Sequence, residues 1–257
     1  MDRVGAASEM VVQAKRVVIL TGAGISTESG IPDFRSPGGI WDKYDPGEFT
    51  FDKFLSSESS REKLWEFYQL LWETIDRARP NRSHLAIAEL VNLGKVDCVI
   101  TQNVDNLLQA AGVPEERIIE LHGTLRWVDC LVCGKRFSRA EVARRLLHGE
   151  RAPRCECGGI MKPATITFGQ PMPEREVREA QRRAAECDLF IVIGSSLVAH
   201  PAAQIPLIAK DRGAKLVIIN LSSTPHDTYS DIVINGRIGK TLSSIVERVK
   251  AKLKDRA

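Results

Sequence analysis

Apolar positions along this chain follow two different periods. Four short, β-branched runs, Val17 to Leu20, Val96 to Thr101, Leu189 to Ile193 and Leu216 to Ile219, are too short for helices and are followed by Thr-Gly, Gln, Gly and Asn in turn. Each is read as a buried strand. Between and around them apolar residues recur at helical spacing. Residues 2–15 turn Val4, Val11 and Val12 inward; Leu64, Tyr68, Leu71, Trp72 and Ile75 form a stripe; Leu242, Ile245, Val246, Val249 and Leu253 form another near the end. A charged helix follows Pro173 and runs from Glu174 to Glu186, and a further helix follows Pro201. Pro80-Asn81-Arg82-Ser83 ends the Leu64 to Ile75 helix, and Ser83 is expected to cap the next, which carries Leu85, Ala88 and Leu93. That pair, preceded by the aromatic-rich Phe49, Phe51, Phe54 and Leu55, reads as a helical module inserted into the main fold. Pro163 to Gly169 is a further strand-like run. Strands of four to six apolar residues alternating with helices predict the α/β class, with a parallel sheet covered on both faces.

At 257 residues the chain suits one large domain or a main domain with insertions. Lys plus Arg is 36 and Asp plus Glu is 33. A balance of +3 demands neither nucleic acid nor a membrane surface. Nothing approaches a membrane-spanning run, and Met1 to Lys15, with Asp2, Glu9 and Gln13, is no secretory signal. A soluble, cytoplasmic protein is expected. Six cysteines in a chain this long make no disulfide scaffold, and four of them fall between 130 and 157. Cys130-x-x-Cys133 and Cys155-x-Cys157 supply two close thiolate pairs, the donor set of a closed tetrahedral Zn²⁺ site with no position left for catalytic water. The metal is therefore expected to be structural. Residues 126–162 hold nine Lys or Arg against four Asp or Glu, so this module stays basic even with a tetrathiolate zinc contributing about −2.

The polar residues at the strand ends carry the candidate chemistry. The first strand spills into TGAGISTESGIPDFRSPGGIW, Thr21 to Trp41. Gly22 and Gly24 allow close backbone approach to a phosphate, and Ser26 to Gly30 is expected to open a helix whose positive end assists. The dinucleotide fingerprint G-x-G-x-x-G is only partly met, because its third glycine is Thr27. Phe34 and Arg35 set an aromatic face beside a fixed cation, and Ser36 to Gly39 gives a hinge suited to a loop that closes on a ligand. The second strand runs into Gln102-Asn103-Val104-Asp105, where helix capping competes with ligand contact as a role for Asn103 and Asp105. His122 is a natural general base by its pKa, and equally a common member of a structural hydrogen-bond network. Gly194-Ser195-Ser196-Leu197 and Asn220 follow the third and fourth strands.

With TGAGIS, GIPDFRS, TQNVDNL, the His122-Gly123 pair, paired cysteines, Phe168-Gly169, GSSL and Asn220 in this order, the chain resembles the sirtuins, the NAD-dependent protein deacylases. The likeness runs from about Val17 to the last helix. It implies a single catalytic core of prokaryotic type over 1–257. A Rossmann-like large domain would come from about 1–36, 95–125 and 164–257, and a smaller lobe from a helical module (37–94) and a zinc module (126–163). It implies that Gly22, Ala23 and Gly24 meet the pyrophosphate of NAD, the cosubstrate, and that Phe34 and Arg35 belong to the loop closing over the nicotinamide ribose. Ser26, Asn103, Val104 and Asp105 would form the nicotinamide pocket. Gln102 and His122 would face the ribose hydroxyls, and Gly194, Ser195, Ser196, Asn220 and Ile238 would line the adenosine end. Phe168, Gly169, Leu197 and Val198 would hold an acyl-lysine peptide as an added strand. His122 would be the general base as the acyl group passes from lysine to ADP-ribose and nicotinamide leaves.

This chain departs from the family's usual pattern at the C-x-C pair, at Gln170 in place of Glu, and at Thr167. Trp65-Glu66-Phe67-Tyr68 resembles members that remove succinyl groups, but Leu71 stands where those carry an Arg for the acyl carboxylate. Acetyl or longer apolar acyl groups are thus expected over succinyl. Rival readings are a mono-ADP-ribosyltransferase using the same NAD site, a noncatalytic zinc-module protein binding NAD or ADP-ribose, and an NAD-linked dehydrogenase. The last lacks the acidic residue expected after its second strand.

Overall fold

The computed structural model describes residues 2–255; Met1 and 256–257, the ends of the expected large domain, lie outside the described residues. Nine strands form among these: β1 (Val17–Thr21), β2 (Val96–Thr101), β3 (Ile118–Glu120), β4 (Gly123–Cys130), β5 (Arg136–Ser138), β6 (Met161–Thr165), β7 (Leu189–Ile193), β8 (Lys215–Asn220) and β9 (Ile232–Asn235). Six make one sheet in the order β3-β2-β1-β7-β8-β9, every neighbour pair parallel. The other three make an antiparallel sheet, β5-β4-β6.

Period-2 alternation within β1 sends its residues to opposite faces of the large sheet. Val17 and Ile19 join the core beneath α1 (Arg3–Gln13), α4 (Arg82–Asn92) and α9 (Ile238–Lys254). Val18 and Leu20 join the core beneath α7 (Glu174–Glu186) and α8 (Ile205–Asp211). All four are fully buried, each stabilising the fold by about 1.5–3 kcal/mol relative to exposure. Burial on both faces is why these strands read as unbroken apolar runs.

The smaller lobe shares one core. Phe54 of α2 (Phe51–Ser56) and Leu64, Trp65, Tyr68 and Trp72 of α3 (Glu58–Arg77) pack with Leu125, Val128, Phe137 and Met161 of the antiparallel sheet. Val142 and Leu146 of α6 (Arg139–Leu147) close it from the far side. The short α5 (Leu107–Ala110) follows β2.

Several expectations are corrected. Helix α4 packs Ala86, Ile87 and Leu90 into the large sheet's core, so it does not belong to the helical insertion. Its cap is Asn81, whose side chain accepts from the Ser83 N–H at 2.8 Å; Ser83 lies inside the helix and Leu85 is exposed. Residues 26–30 form no α-helix: Ala23–Ile25 and Thr27–Ser29 are single 3₁₀ turns, closed by Gly30 at φ +86°. The run expected over 163–169 is a strand only to Thr165, because the Ile166 N–H turns to the His122 carbonyl (2.9 Å) and Phe168 pairs with Thr50 alone.

Candidate active site

Parallel strands deliver their C-terminal ends to one edge, and the order of the large sheet reverses between β1 and β7. Ligand crevices in open α/β sheets lie at such a switch point. Here the loops after Thr21 and Ile193 pack against each other. The Gly22 N–H donates to the Ile193 carbonyl (3.0 Å) and the Gly24 N–H to the Gly194 carbonyl (2.9 Å). A Cβ on Gly22 or Gly24 would lie 2.7 or 2.8 Å from the Gly194 oxygen. These glycines are thus required by loop-to-loop packing, and their N–H groups are spent on it. Among the described residues the Ala23 N–H between them has no acceptor.

A polar network fills the crevice. The Thr21 hydroxyl donates to that of Thr101 (2.9 Å), which accepts the Asn103 N–H (3.0 Å). Asn103 Nδ2 then donates to the Gly22 carbonyl and to Ser26 Oγ, both at 3.2 Å. Buried Ser26 donates to Asp105 Oδ2 (2.7 Å), while Asp105 Oδ1 accepts the Leu107 N–H (2.9 Å). Asp105 therefore holds the start of α5 and orients Ser26 with the same carboxylate. His84, not singled out by sequence, is fully buried with Nε2 3.4 Å from Ser26 Oγ. Its Nδ1 accepts the Asn81 N–H (3.3 Å), which assigns the ring proton to Nε2, pointing at Ser26. Burial holds the His84 pKa below its ordinary value, opposed by the charges of Asp105 and Glu28. Asn81-x-x-His84 as a capping box was the available sequence signal.

His122 follows β3. Its Nδ1 lies 2.9 Å from the Gln102 carbonyl, and since a carbonyl only accepts, Nδ1 carries the proton and Nε2 keeps a free lone pair. Burial lowers its pKa below the ordinary 6.5; the bond to Gln102 opposes this and the Arg35 cation adds to it. The next residue, Gly123, sits at φ +71°, where a Cβ would come 2.0 Å from the Ala164 carbonyl oxygen. Gln102 also donates to Ser195 Oγ (2.9 Å), tying the loop after β2 to the loop after β7.

Toward the small lobe, Phe168 and Val198 are 47% and 46% exposed. Leu197 is buried at φ +54°, so its side chain enters the large domain's core rather than the crevice. Ile238, at the start of α9, is likewise buried, in the core on the opposite face of the sheet. Ser196 and Gly169 are exposed, Asn220 Nδ2 donates to the Ser222 carbonyl (2.9 Å), and the half-buried Val104 packs against the small lobe's core. Arg35 is exposed, its N–H and that of Ser36 accepted by Asp33 Oδ1 at 2.9 and 2.7 Å. Phe34 stacks on Trp41 (5.3 Å between centroids), and Trp41 on Phe168 (5.6 Å).

The four cysteine sulfurs lie within 4.8 Å of one another, Cys130 to Cys157 at 3.6 Å and Cys133 to Cys155 at 3.7 Å. A tetrahedron of Zn–S bonds of about 2.3 Å has edges of about 3.8 Å, so the donor set fits zinc. The short C-x-C pair is accommodated by a tight turn in which Gly159 accepts the Cys155 N–H (2.9 Å), and a Cβ at Gly159 would strike Cys130 Sγ at 2.6 Å. Cys130 ends β4 and Gly123, beside His122, begins it, a span of roughly 20 Å at 3.3 Å per residue. The metal site stands away from the crevice.

Residues 22–201 match the model of the Sir2 family. The NAD-dependent protein deacetylase 1 of Bradyrhizobium diazoefficiens is 48% identical over 247 residues, 96% of this chain and 95% of the relative. Two solved Sir2 structures are similar throughout. One holds a deacetylated p53 peptide and 3′-O-acetyl ADP-ribose (TM-score 0.88, 37% identity, 94% of this chain and 96% of the other). The other holds a p53 peptide and NAD⁺ (TM-score 0.87, 35% identity, 96% and 98%).

Proposed function

The chain belongs to the Sir2 family, and from that premise we infer that it is an NAD-dependent protein-lysine deacylase. It moves the acyl group from lysine to ADP-ribose and releases nicotinamide. The observation that carries the mechanism is the neutral His122, its Nδ1 fixed by Gln102 and its Nε2 open beside the network of Ser26, Asn103 and Asp105. The acyl oxygen of the substrate lysine attacks the anomeric carbon of the nicotinamide ribose, and the bond to nicotinamide breaks. His122 then takes the proton of a ribose hydroxyl as that oxygen adds to the acyl carbon; the C–N bond to lysine breaks as the proton passes to the departing amine, and water adds to the same carbon to free acyl-ADP-ribose. The imidazolium so formed is held in register by the same Gln102 bond.

The remaining assignments follow this reading. The Ala23 N–H faces the pyrophosphate, with Gly22 and Gly24 shaping the loop around it. Ser26, Asn103, Val104 and Asp105 form the nicotinamide pocket, with His84 holding Ser26 from behind. Ser195, Ser196 and Asn220 line the adenosine end, and Gly194 and Ile238 support it. The backbone around Phe168, Gly169, Leu197 and Val198 takes the peptide. Among the described residues the large domain extends over about 2–36, 80–122 and 166–255, with zinc-bearing and helical segments between. Cysteine ligands suit a reducing compartment, and the cytoplasm is the proposed location. No described helix is long and apolar enough to cross a membrane.

Leu71 lines a pocket of about 150 Å³ with Ile40, Tyr44, Phe67 and Leu70. Lys43 is the one charged residue on its lining, a point charge lacking the fork that binds a carboxylate bidentately. Acetyl or longer apolar groups are therefore preferred. Mass spectrometry of acetyl- and succinyl-lysine peptides, with and without NAD, tests both points. Acetyl loss that needs NAD and His122, with acetyl-ADP-ribose appearing, is expected. ADP-ribosylated protein without acyl loss would instead favour ADP-ribosyl transfer, and equal rates on succinyl-lysine would refute the acyl preference.

A further inference from the structure

Three aromatic rings bridge the two binding segments of the proposed deacylase, and the middle one has no assigned role. Phe34 and Trp41 belong to the loop after β1; Phe168 follows β6. The Phe34 and Trp41 rings are 5.3 Å apart at 41°, those of Trp41 and Phe168 5.6 Å apart at 49°. The loop is folded on itself, so that its backbone ties the first two rings together. The Trp41 N–H donates to the Phe34 carbonyl (3.1 Å) and the Ile40 N–H to the Asp33 carbonyl (2.9 Å). Gly39 lies so close inside this turn that a Cβ would meet the Asp33 and Ser36 oxygens at 2.8 Å. Phe168 is anchored separately, its carbonyl accepting the Phe51 N–H (2.8 Å), with nearly half its surface left open.

We propose that Trp41 is a positioning residue that couples closure of the loop over the cosubstrate to docking of the peptide at Phe168. The proposal rests on the deacylase reading, which assigns Phe34 to NAD and Phe168 to the acyl-lysine peptide. Stacked and tilted aromatic pairs carry an orientation preference beyond the area they bury. A ligand that fixes Phe34 therefore fixes the Trp41 plane, and the Trp41 plane restricts Phe168. The reverse path has the same strength, because coupling between two binding events is reciprocal.

The test measures affinity for an acetyl-lysine peptide by calorimetry, alone and with saturating ADP-ribose as a nonreactive stand-in for NAD. Parent protein, Trp41→Phe and Trp41→Leu are compared, and zinc content and thermal midpoint are recorded for each. Trp41→Met replaces Trp41→Leu if the latter does not fold. In the parent, ADP-ribose is expected to tighten peptide binding by about fivefold or more. Trp41→Leu should bring that ratio close to one, with peptide affinity in the absence of ADP-ribose changed less, and Trp41→Phe should restore most of it. A ratio in Trp41→Leu equal to the parent's, a parent with no coupling, or an equal loss in Trp41→Phe would each overturn the proposal. Nicotinamide release by the parent with the same peptide is measured in parallel. Its absence would count against the deacylase reading itself, whereas its presence with an unaltered ratio would remove only the role of Trp41.

Discussion

Strands of the six-stranded sheet are covered from both sides, and the apolar cores on its two faces account for their stability without help. The three-stranded sheet has a single shared core, with Leu131, Val132 and Trp127 left exposed on or beside it. Four thiols stand at the edge of that core, with Cys130 and Cys155 buried in it. A small domain that cannot bury enough surface needs a staple, and here the staple is the metal. The difference teaches that the crevice is assembled from a part held by burial on two faces and a part whose single core is supplemented by metal ligation. His122 stands between them, bonded on one side to Gln102 and on the other to Ile166.

The largest effect should come from stripping the metal. All four tryptophans, at 41, 65, 72 and 127, lie outside the parallel sheet and its covering helices, so their fluorescence reports the small lobe selectively. Complete metal removal is expected to shift that emission to the red and abolish deacylation, while amide-exchange protection persists in β1, β7 and β8. Full activity in a verified metal-free, folded protein would contradict the division.

Next in size is the base at the seam. Because the His122 pKa lies below 6.5, the ring is neutral at pH 7, and the rate should fall only as pH drops below 6.5. The same depression means the folded state binds fewer protons there, so this group's contribution to stability also falls as pH drops through 6.5. His122→Ala should cost about 10²–10⁴ in rate and erase the acid limb. An acid limb centred above 6.5 in the parent would place the base elsewhere.

The smallest effect concerns the small lobe alone. Lys162 on β6 is 1% exposed, donating to the Thr165 carbonyl (2.5 Å) and the Pro163 carbonyl (3.3 Å). Burial pulls its pKa from 10.5 down to about 7, with Asp129 opposing. Between those values the unfolded chain holds a proton that the folded chain does not, so this group adds stability as pH rises from 7 to 10.5. Urea midpoints at pH 7 and pH 9 should show Lys162→Met losing about 2 kcal/mol relative to the parent between the two. Parallel behaviour of parent and variant would show that the amine stays charged throughout.

What the sequence revealed follows the same division. Strands β1, β7 and β8 were legible because burial on both faces leaves a nearly unbroken apolar run, and β2 because only Asp97 interrupts its own. Strand β4, reading GTLRWVDC, buries only part of its length, and β5 and β9 span three and four residues, too short for a period to register. The motif residues around the crevice were named in advance, but the reason for Gly22 and Gly24 was not visible. The carbonyl that crowds them belongs to Gly194, far along the chain, and only the fold shows that their N–H groups are already engaged. His84 was hidden for a similar reason: it sits in an ordinary helix, 58 positions from the serine it orients.

The pairing of Gly123 with Thr165 carries one more consequence. The polypeptide enters the antiparallel sheet and leaves it through two residues that face each other across a ladder, so the intervening forty or so positions hang from a two-stranded stem. Such a stem is a natural junction for exchange. Swapping the segment between relatives at these two points would transplant a whole metal-bearing cassette while the parallel sheet, with its crevice loops and covering helices, stays untouched. Chimeras built this way would vary the metal-bearing cassette while the crevice residues and the segments around Phe168 and Leu197 stay constant.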